Sequence, residues 1–363
     1  MAISDIVRKG ENASNRAAMK WSTGKGWIPE VTGFSGYGTD RRIRVLARVL
    51  MTNPDKPESI PSGAEYQSPV SLGKQAQRGW RQFFTIQIPE HPVRVSIGDT
   101  IVETHTDSNG YLDLLIEDHG LATGWHDVTV QAEGAQPATA RVLIVSPSAR
   151  LGLVSDIDDT VMVTWLPRAL LAAWNSWIRH TNTRQPVPGM AEFYAELLKN
   201  DPDAPVFYLS TGAWNTFETL RGFLTRHNLP DGPMLLTDWG PTPTGLFRSG
   251  QEHKKVQLRN LFIDYPDIKW ILVGDDGQHD PLIFDEAVAE HPDRIAGVAI
   301  RELSPGEHVL SHGTTGALST ITTNGGQGVP VVHGRDGHEL LEHHRSKPFP
   351  LTVDPTGSAE SER

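Results

Sequence analysis

Between residues 151 and 302, short apolar runs alternate with amphipathic stretches, and this alternation constrains the chain more than any other feature. The runs read GLVSD, APVFYLST, PMLLTD, KWILVGD and RIAGVAI. Among them lie GMAEFYAELLKN, TFETLRGFLTRH, HKKVQLRNLFIDY and PLIFDEAVAEH, with apolar residues at helical spacing. Runs this short and this apolar suit strands buried on both faces. Strand–helix repetition predicts an α/β fold, a parallel sheet with helices on both faces. Such sheets take their ligands beyond the C-terminal ends of the strands, so the residues that end each run matter most.

The first run ends in SDIDDT, placing Asp156, Asp158 and Thr160 on the turn that leaves the strand. One carboxylate can attack while the other handles protons, and both can help hold a divalent cation. Helix capping is the plainer reading of Asp and Thr here, and it is compatible with phosphate binding at the same helix end. The second run ends in Ser210 and Thr211. A later helix opens with Lys254 and Lys255, where cations oppose the helix dipole. The fourth run ends in Gly274, Asp275 and Asp276, with Asp280 close behind. Singly, a serine at a strand end is a turn residue and a first-turn lysine is solvated. Together, carboxylate pair, hydroxyl, ammonium and carboxylate form the set that metal-assisted phosphoryl transfer needs.

Upstream, from about 41 to 147, the pattern changes to β. RRIRVLARVLM, WRQFFTIQIP, VRVSIGDTIVETHT, GYLDLLIED, HDVTVQAEG and RVLIVSP are separated by Pro, Gly, Asn or Asp. Asp107-Ser108-Asn109-Gly110 predicts a hairpin turn. An all-β antiparallel sandwich is the expected architecture. The expected division is a leader at 1–35, a β-sandwich at 36–148, a catalytic domain at 149–302 and a partly disordered extension at 303–363. Within the extension, GVPVVHGRDGHELLEHH could dock as a short strand and helix.

With 363 residues and a formal charge of −11, the chain lacks the net basic footprint of a general nucleic-acid binder. It has no cysteine, so thiolate metal sites and disulfides are excluded. No run approaches the roughly 20 apolar residues of a membrane span. The first residues lack the apolar core of a signal peptide, which points to the cytoplasm. No acidic residue occurs between Thr160 and Glu192, a stretch that carries Trp165, Trp174, Trp177, Arg168, Arg179 and Arg184.

The motifs VSDIDDTV, QPVPGMAEFYAEL, VFYLSTGAW, HKKVQLRNLF and YPDIKWILVGDDGQHDPLIF resemble the haloacid-dehalogenase superfamily of aspartate-nucleophile phosphatases. Within it they resemble the App1-like family of the phosphatidate phosphatase type, closely over about 151–302. FSGYGT, ARVL and TDSNGY resemble the upstream region of that family. The resemblance implies a Rossmann-like parallel sheet with a small helical cap at about 161–185. It implies a Mg²⁺-dependent phosphatase in which Asp156 forms an aspartyl-phosphate. Asp158 would be general acid and then base, Ser210 a phosphoryl hydrogen-bond donor and Lys254 the neutralising cation, with Lys255 its rival. Thr160, Thr211 and Gly212 would contact substrate or shape its site. Asp156, the Asp158 carbonyl and Asp275 would hold the metal, with Asp276 a second candidate and Asp280 orienting the loop. Where the family often has Asn-Ser-Pro-Trp after the serine, this chain has Thr211-Gly212-Ala213-Trp214.

The substrate implied is a phospholipid such as phosphatidate, or another phosphate ester. The Trp- and Arg-rich cap suits peripheral contact with a membrane surface. A soluble phosphate ester and a non-catalytic phospholipid-binding module are the rival readings. Presence of both Asp156 and Asp158 argues against the second.

Overall fold

The computed structural model describes residues 21–54, 86–163, 185–237, 250–312 and 328–350. The described residues first form nine strands: β1 (Ile28–Gly33), β2 (Gly36–Gly38), β3 (Arg42–Thr52), β4 (Ile86–Gln87), β5 (Pro92–Ile97), β6 (Thr100–His105), β7 (Tyr111–Glu117), β8 (Gly124–Ala132) and β9 (Ala138–Ile144). They join in one hydrogen-bonded sheet of order β1-β3-β2-β9-β8-β5-β6, with β4 and β7 also pairing β3. The pairings are antiparallel except for β2 with β9. Along β3, Ile43, Val45, Ala47 and Val49 are buried in a core shared with Val95, Val130 and Val142. Leu46 faces the other way and joins the core of the second sheet. Burial on both faces explains why β3 is so apolar for an antiparallel strand.

The second sheet holds β10 (Leu151–Ser155), β11 (Val206–Ala213), β12 (Met234–Thr237), β13 (Lys269–Asp275), β14 (Ile295–Arg301) and β15 (Val331–Gly334). Its order is β12-β11-β10-β13-β14-β15, and every neighbouring pair is parallel. Helices α1 (Met190–Leu198), α2 (Phe217–Arg226), α3 (Gly250–Asp264), α4 (Asp280–Glu290), α5 (Pro305–His312) and α6 (Gly337–Ser346) accompany it. Phe193, Phe217 and Leu340, from α1, α2 and α6, pack into one core. Leu258 and Phe262 of α3 and Ile283 and Phe284 of α4 pack into another. The strand order runs outward in one direction from β10 and in the other from β13. The crevice between their C-terminal ends is therefore the topological switch point, where sheets of this kind bind ligands.

The two sheets touch. Phe34 stacks on Trp214 with ring centroids 4.5 Å apart, and Tyr37 meets Phe207 edge-on at 5.3 Å. The Tyr265 hydroxyl donates to the Gly38 carbonyl at 3.2 Å, and Arg141 pairs with Asp231 at 3.0 Å.

Several elements differ from expectation. β1 begins at Ile28, inside the stretch read as a leader, because Val31 is buried when the strand pairs with β3. The Asp107–Gly110 turn forms, with Asp107 Oδ1 accepting from the amides of Asn109 and Tyr111, both at 2.8 Å. It does not close a hairpin, since β6 pairs with β5 and β7 with β3. Of WRQFFTIQIP, only Ile86–Gln87 is a strand among the described residues. The docking option for GVPVVHGRDGHELLEHH is the one observed, because β15 adds a sixth strand and α6 covers it. Residues 164–184, most of the expected cap, lie outside the described residues. Their two flanks meet, with the Val163 amide donating to Gln185 and the Val187 amide to Val161, both at 3.0 Å. Among the described residues, no helix is long and apolar enough to cross a membrane.

Candidate active site

The Asp156 amide donates to the Val273 carbonyl at 2.9 Å, continuing the β10–β13 ladder by one residue. That bond fixes Asp156 beside the end of β13, two residues before Asp275. After Asp156 the chain turns sharply. Ile157, Val161 and Met162 are fully buried, and the amides of Val161 and Met162 both donate to Ile157 at 3.1 and 3.2 Å. Asp159 sits in the left-handed region at φ 59°, which aspartate tolerates better than most residues. The Thr160 hydroxyl donates to Asp156 Oδ2 at 3.2 Å. In DIDDTVM the apolar Ile157, Val161 and Met162 therefore anchor the turn, and Asp156, Asp159 and Thr160 are buried with them.

The helix α3 begins at Gly250, earlier than the lysine pair that the sequence placed at its opening, so Lys254 is its fifth residue. The Lys254 Nζ donates to Asp156 Oδ1 at 2.7 Å and to Asp280 Oδ1 at 2.6 Å. Its side chain is only 4% exposed. The rival Lys255 turns away and pairs with Glu286. Asp156, Asp275 and Asp280 are all buried, and each offers an oxygen within 4.8 Å of the others. Asp280 reaches this group because position 274 is glycine; a Cβ there would lie 2.6 Å from Asp280 Oδ2. Asp275 Oδ1 accepts from the Gly277 amide at 2.8 Å. Asp275 Oδ2 and Asp280 Oδ2 are buried without a hydrogen-bond partner.

The electrostatics follow from that crowding. Burial pushes the Asp156 carboxyl up to about 8, with Lys254 pulling against it and Asp280 and Asp158 adding to the rise. Burial, reinforced by Asp280 and Asp156, holds Asp275 well above the usual carboxylate range. Burial alone would lower Lys254, yet Asp156 and Asp280 outweigh it and keep the ammonium above its ordinary value. Three buried carboxylates therefore share one ammonium. A divalent cation would supply the missing charge, and two orphaned oxygens point to the deficit. An all-oxygen donor set without cysteine or histidine suits a hard cation such as Mg²⁺.

Ser210 is fully buried within β11, where the pairing with β12 breaks register between Leu209 and Ala213, and its hydroxyl donates to Asp158 Oδ2 at 3.2 Å while accepting from the Gly212 amide at 2.9 Å. Thr237 pins the same loop by donating to the carbonyls of Thr211 and Gly212 at 2.9 and 3.3 Å. The loop ends on Trp214, stacked on Phe34 from the first sheet. Asp156, Thr160, Lys254 and Asp275 thus come together, and Ser210 joins them through Asp158. The carboxylates that cluster are Asp156, Asp275 and Asp280, so Asp280 does more than orient its loop. Asp276 is turned aside, accepting from the Leu303 amide at 2.8 Å and lying 3.5 Å from His308. Sequence reasoning also passed over Arg301, a buried guanidinium at the end of β14 that donates to the Asp159 carbonyl at 2.7 Å. Its only sequence signal was a charge ending the apolar run RIAGVAI.

Residues 151–302 match the family model described as Phosphatidate phosphatase APP1, catalytic domain. The resemblance read from the motifs holds over this segment. The phosphatidate phosphatase APP1 of Saccharomyces cerevisiae is 29% identical over 158 residues, which is 43% of this chain and 26% of that protein. An uncharacterized protein of Schizosaccharomyces pombe is 25% identical over 154 residues, covering 42% of this chain and 25% of the other. The chain thus spans about a quarter of the length of these curated relatives. Among solved structures, the HAD domain of effector protein Lem4 from Legionella pneumophila aligns at 16% identity. It covers 43% of this chain and 88% of that one, with a TM-score of 0.29. A carbohydrate acetylesterase from Xanthomonas citri aligns at 11% identity over 86% of this chain and 72% of that one, with a TM-score of 0.27. Neither score is high enough to bear on function.

Proposed function

We propose that the crevice at the β10–β13 switch point hydrolyses a phosphate monoester, and that its substrate is a lipid phosphate such as phosphatidate. The observation that carries this reading is the contact of Lys254 with Asp156 inside a buried cluster of three carboxylates. A buried aspartate that must attack phosphorus needs its charge held ready. The Lys254 ammonium stabilises the ionised form and then neutralises the incoming phosphoryl oxygens.

Asp156 attacks the phosphorus and the ester oxygen leaves, giving an aspartyl-phosphate and an alcohol. Asp158, half-buried beside the cluster and held by Ser210, gives its proton to the leaving oxygen. It then takes one from the water that hydrolyses the intermediate. The Ser210 hydroxyl, held by the Gly212 amide, would turn from Asp158 to donate to a phosphoryl oxygen, Thr211 and Gly212 would shape the pocket beside it, and Thr160 steadies Asp156. Asp156, the Asp158 carbonyl and Asp275 would hold Mg²⁺, with Asp280 adjoining, and the ion would offset the charge of the transferring phosphoryl group.

We further read the all-β sheet of residues 28–144 as a buttress for the segment after Ser210, 149–302 as the catalytic core to which β15 and α6 are added, and 161–185 as its cap. The lipid reading draws on the APP1 match and on the Trp- and Arg-rich cap. It has the protein working at a membrane surface. The test is phosphate release from phosphatidate vesicles and from water-soluble esters, with Mg²⁺ or EDTA, for the wild type and Asp156→Asn. The reading expects Mg²⁺-dependent release that Asp156→Asn abolishes, with vesicles preferred. Release from soluble esters alone would replace the substrate, and full activity in Asp156→Asn would remove the nucleophile.

A further inference from the structure

We propose that Arg301 is a positioning residue that locks the nucleophile turn to the Asp275 loop, and that the segment beyond residue 302 holds it in place. Arg301 is buried, with three different stretches of chain around its guanidinium. One nitrogen donates to the Asp159 carbonyl at 2.7 Å, a second to Glu307 at 2.6 Å and Nε to the Arg335 carbonyl at 3.1 Å. Asp159 is the left-handed residue of DIDDT, so the guanidinium grips the turn at its most constrained peptide. The backbone of Arg301 serves the other side of the crevice. Its carbonyl accepts from the Asp276 amide at 3.0 Å, and two residues on, the Leu303 amide donates to Asp276 Oδ1 at 2.8 Å.

One residue therefore ties the turn that presents Asp156 and Asp158 to the loop that presents Asp275. These two loops sit on adjacent strands, and nucleophile and metal ligand must keep their spacing for chemistry to proceed. Glu307 belongs to α5, and Arg335 precedes α6, beyond the residues that match the APP1 catalytic domain. A planar guanidinium can span three acceptors in fixed directions; an ammonium cannot.

The catalytic part of this inference rests on the phosphatase reading, so the experiment has two independent readouts. Arg301→Met and Arg301→Lys are compared with wild type by amide hydrogen exchange of peptides covering 156–163. In parallel, kcat and KM are measured on para-nitrophenyl phosphate with Mg²⁺. We expect exchange in the turn to rise about tenfold in Arg301→Met, the size of losing one charged hydrogen bond. The α2 peptides should not change. We expect kcat to fall about 30-fold with KM within about twofold, as displacement of a positioned group requires. Arg301→Lys should recover part of both. Unchanged exchange at 156–163 in both variants overturns the proposal, as does a wild-type kcat in an active enzyme. If Arg301→Met does not fold, Arg301→Lys decides on the same two measurements. A wild type inactive on every ester would remove the phosphatase reading, and the exchange measurement would still decide the role of Arg301.

Discussion

Replacing Lys254 by methionine removes the one cation that, among the described residues, contacts Asp156 and Asp280, while keeping most of the aliphatic stem. The side chain is 4% exposed, and its carboxylate partners are at least as buried. Solvent screening therefore does little to soften the change. Stripping one partner from a buried ion pair costs about 3–5 kcal/mol. At about 2–4 °C per kcal/mol for a domain of this size, melting should fall by about 6–20 °C. The loss depends on pH, because the stranded carboxyls can escape it by taking up protons. It should be largest near about pH 8 in EDTA and shrink toward about pH 5, where carboxyl protonation lessens the need for a counter-charge. Thermal melting of wild type and Lys254→Met at both pH values, with and without EDTA, measures this directly. A shift below about 2 °C at both pH values would refute the reasoning, since the measured cost would then fall well short of a broken buried ion pair.

In EDTA the wild type should itself lose stability as pH rises from about 4 toward 8. Asp156 has a folded value near 8 against an ordinary 3.8, so the native state binds the extra proton across that window. Lys254 stays charged throughout, since its ordinary value is 10.5 and the fold raises it. Mg²⁺ should flatten the slope, and stability that instead rises with pH in EDTA would contradict this sign. Gly274→Ala should weaken Mg²⁺ binding measured by calorimetry and cost about 1–3 kcal/mol in denaturant melts, because the new Cβ would press on Asp280 at 2.6 Å. Trp165→Ala with Trp174→Ala should reduce binding to phosphatidate vesicles while sparing hydrolysis of para-nitrophenyl phosphate; equal loss on both would make these tryptophans structural.

The parallel sheet was legible because each of its first five strands is built on an apolar run that gives way to a polar residue; only β11 continues beyond that point, through Thr211 and Gly212 to Ala213. The sixth was marginal: VVHG is four residues long, sits in a Gly-rich tail and becomes a strand by pairing with β14. β1 was hidden for the same reason, since IPEVTG has a single buried apolar residue, Val31, to signal it. Asp156 and Asp275 could be placed at one sheet edge from strand ends alone. The family resemblance already favoured Lys254 over Lys255, and the rotation of α3 gives the physical reason, sending one toward the crevice and the other toward Glu286. Asp280 needed the missing side chain of Gly274 across from it. Arg301 needed knowledge of which strands become neighbours, information that no local pattern carries.

The most direct test of the central claim is to quench the enzyme with acid during turnover of a phosphate ester and map any phosphate adduct by peptide mass spectrometry. The account requires the adduct on the peptide containing Asp156, sensitive to hydroxylamine and missing in Asp156→Asn. An adduct confined to another residue, or active turnover with phosphate released from Asp156→Asn at the wild-type rate, would contradict it.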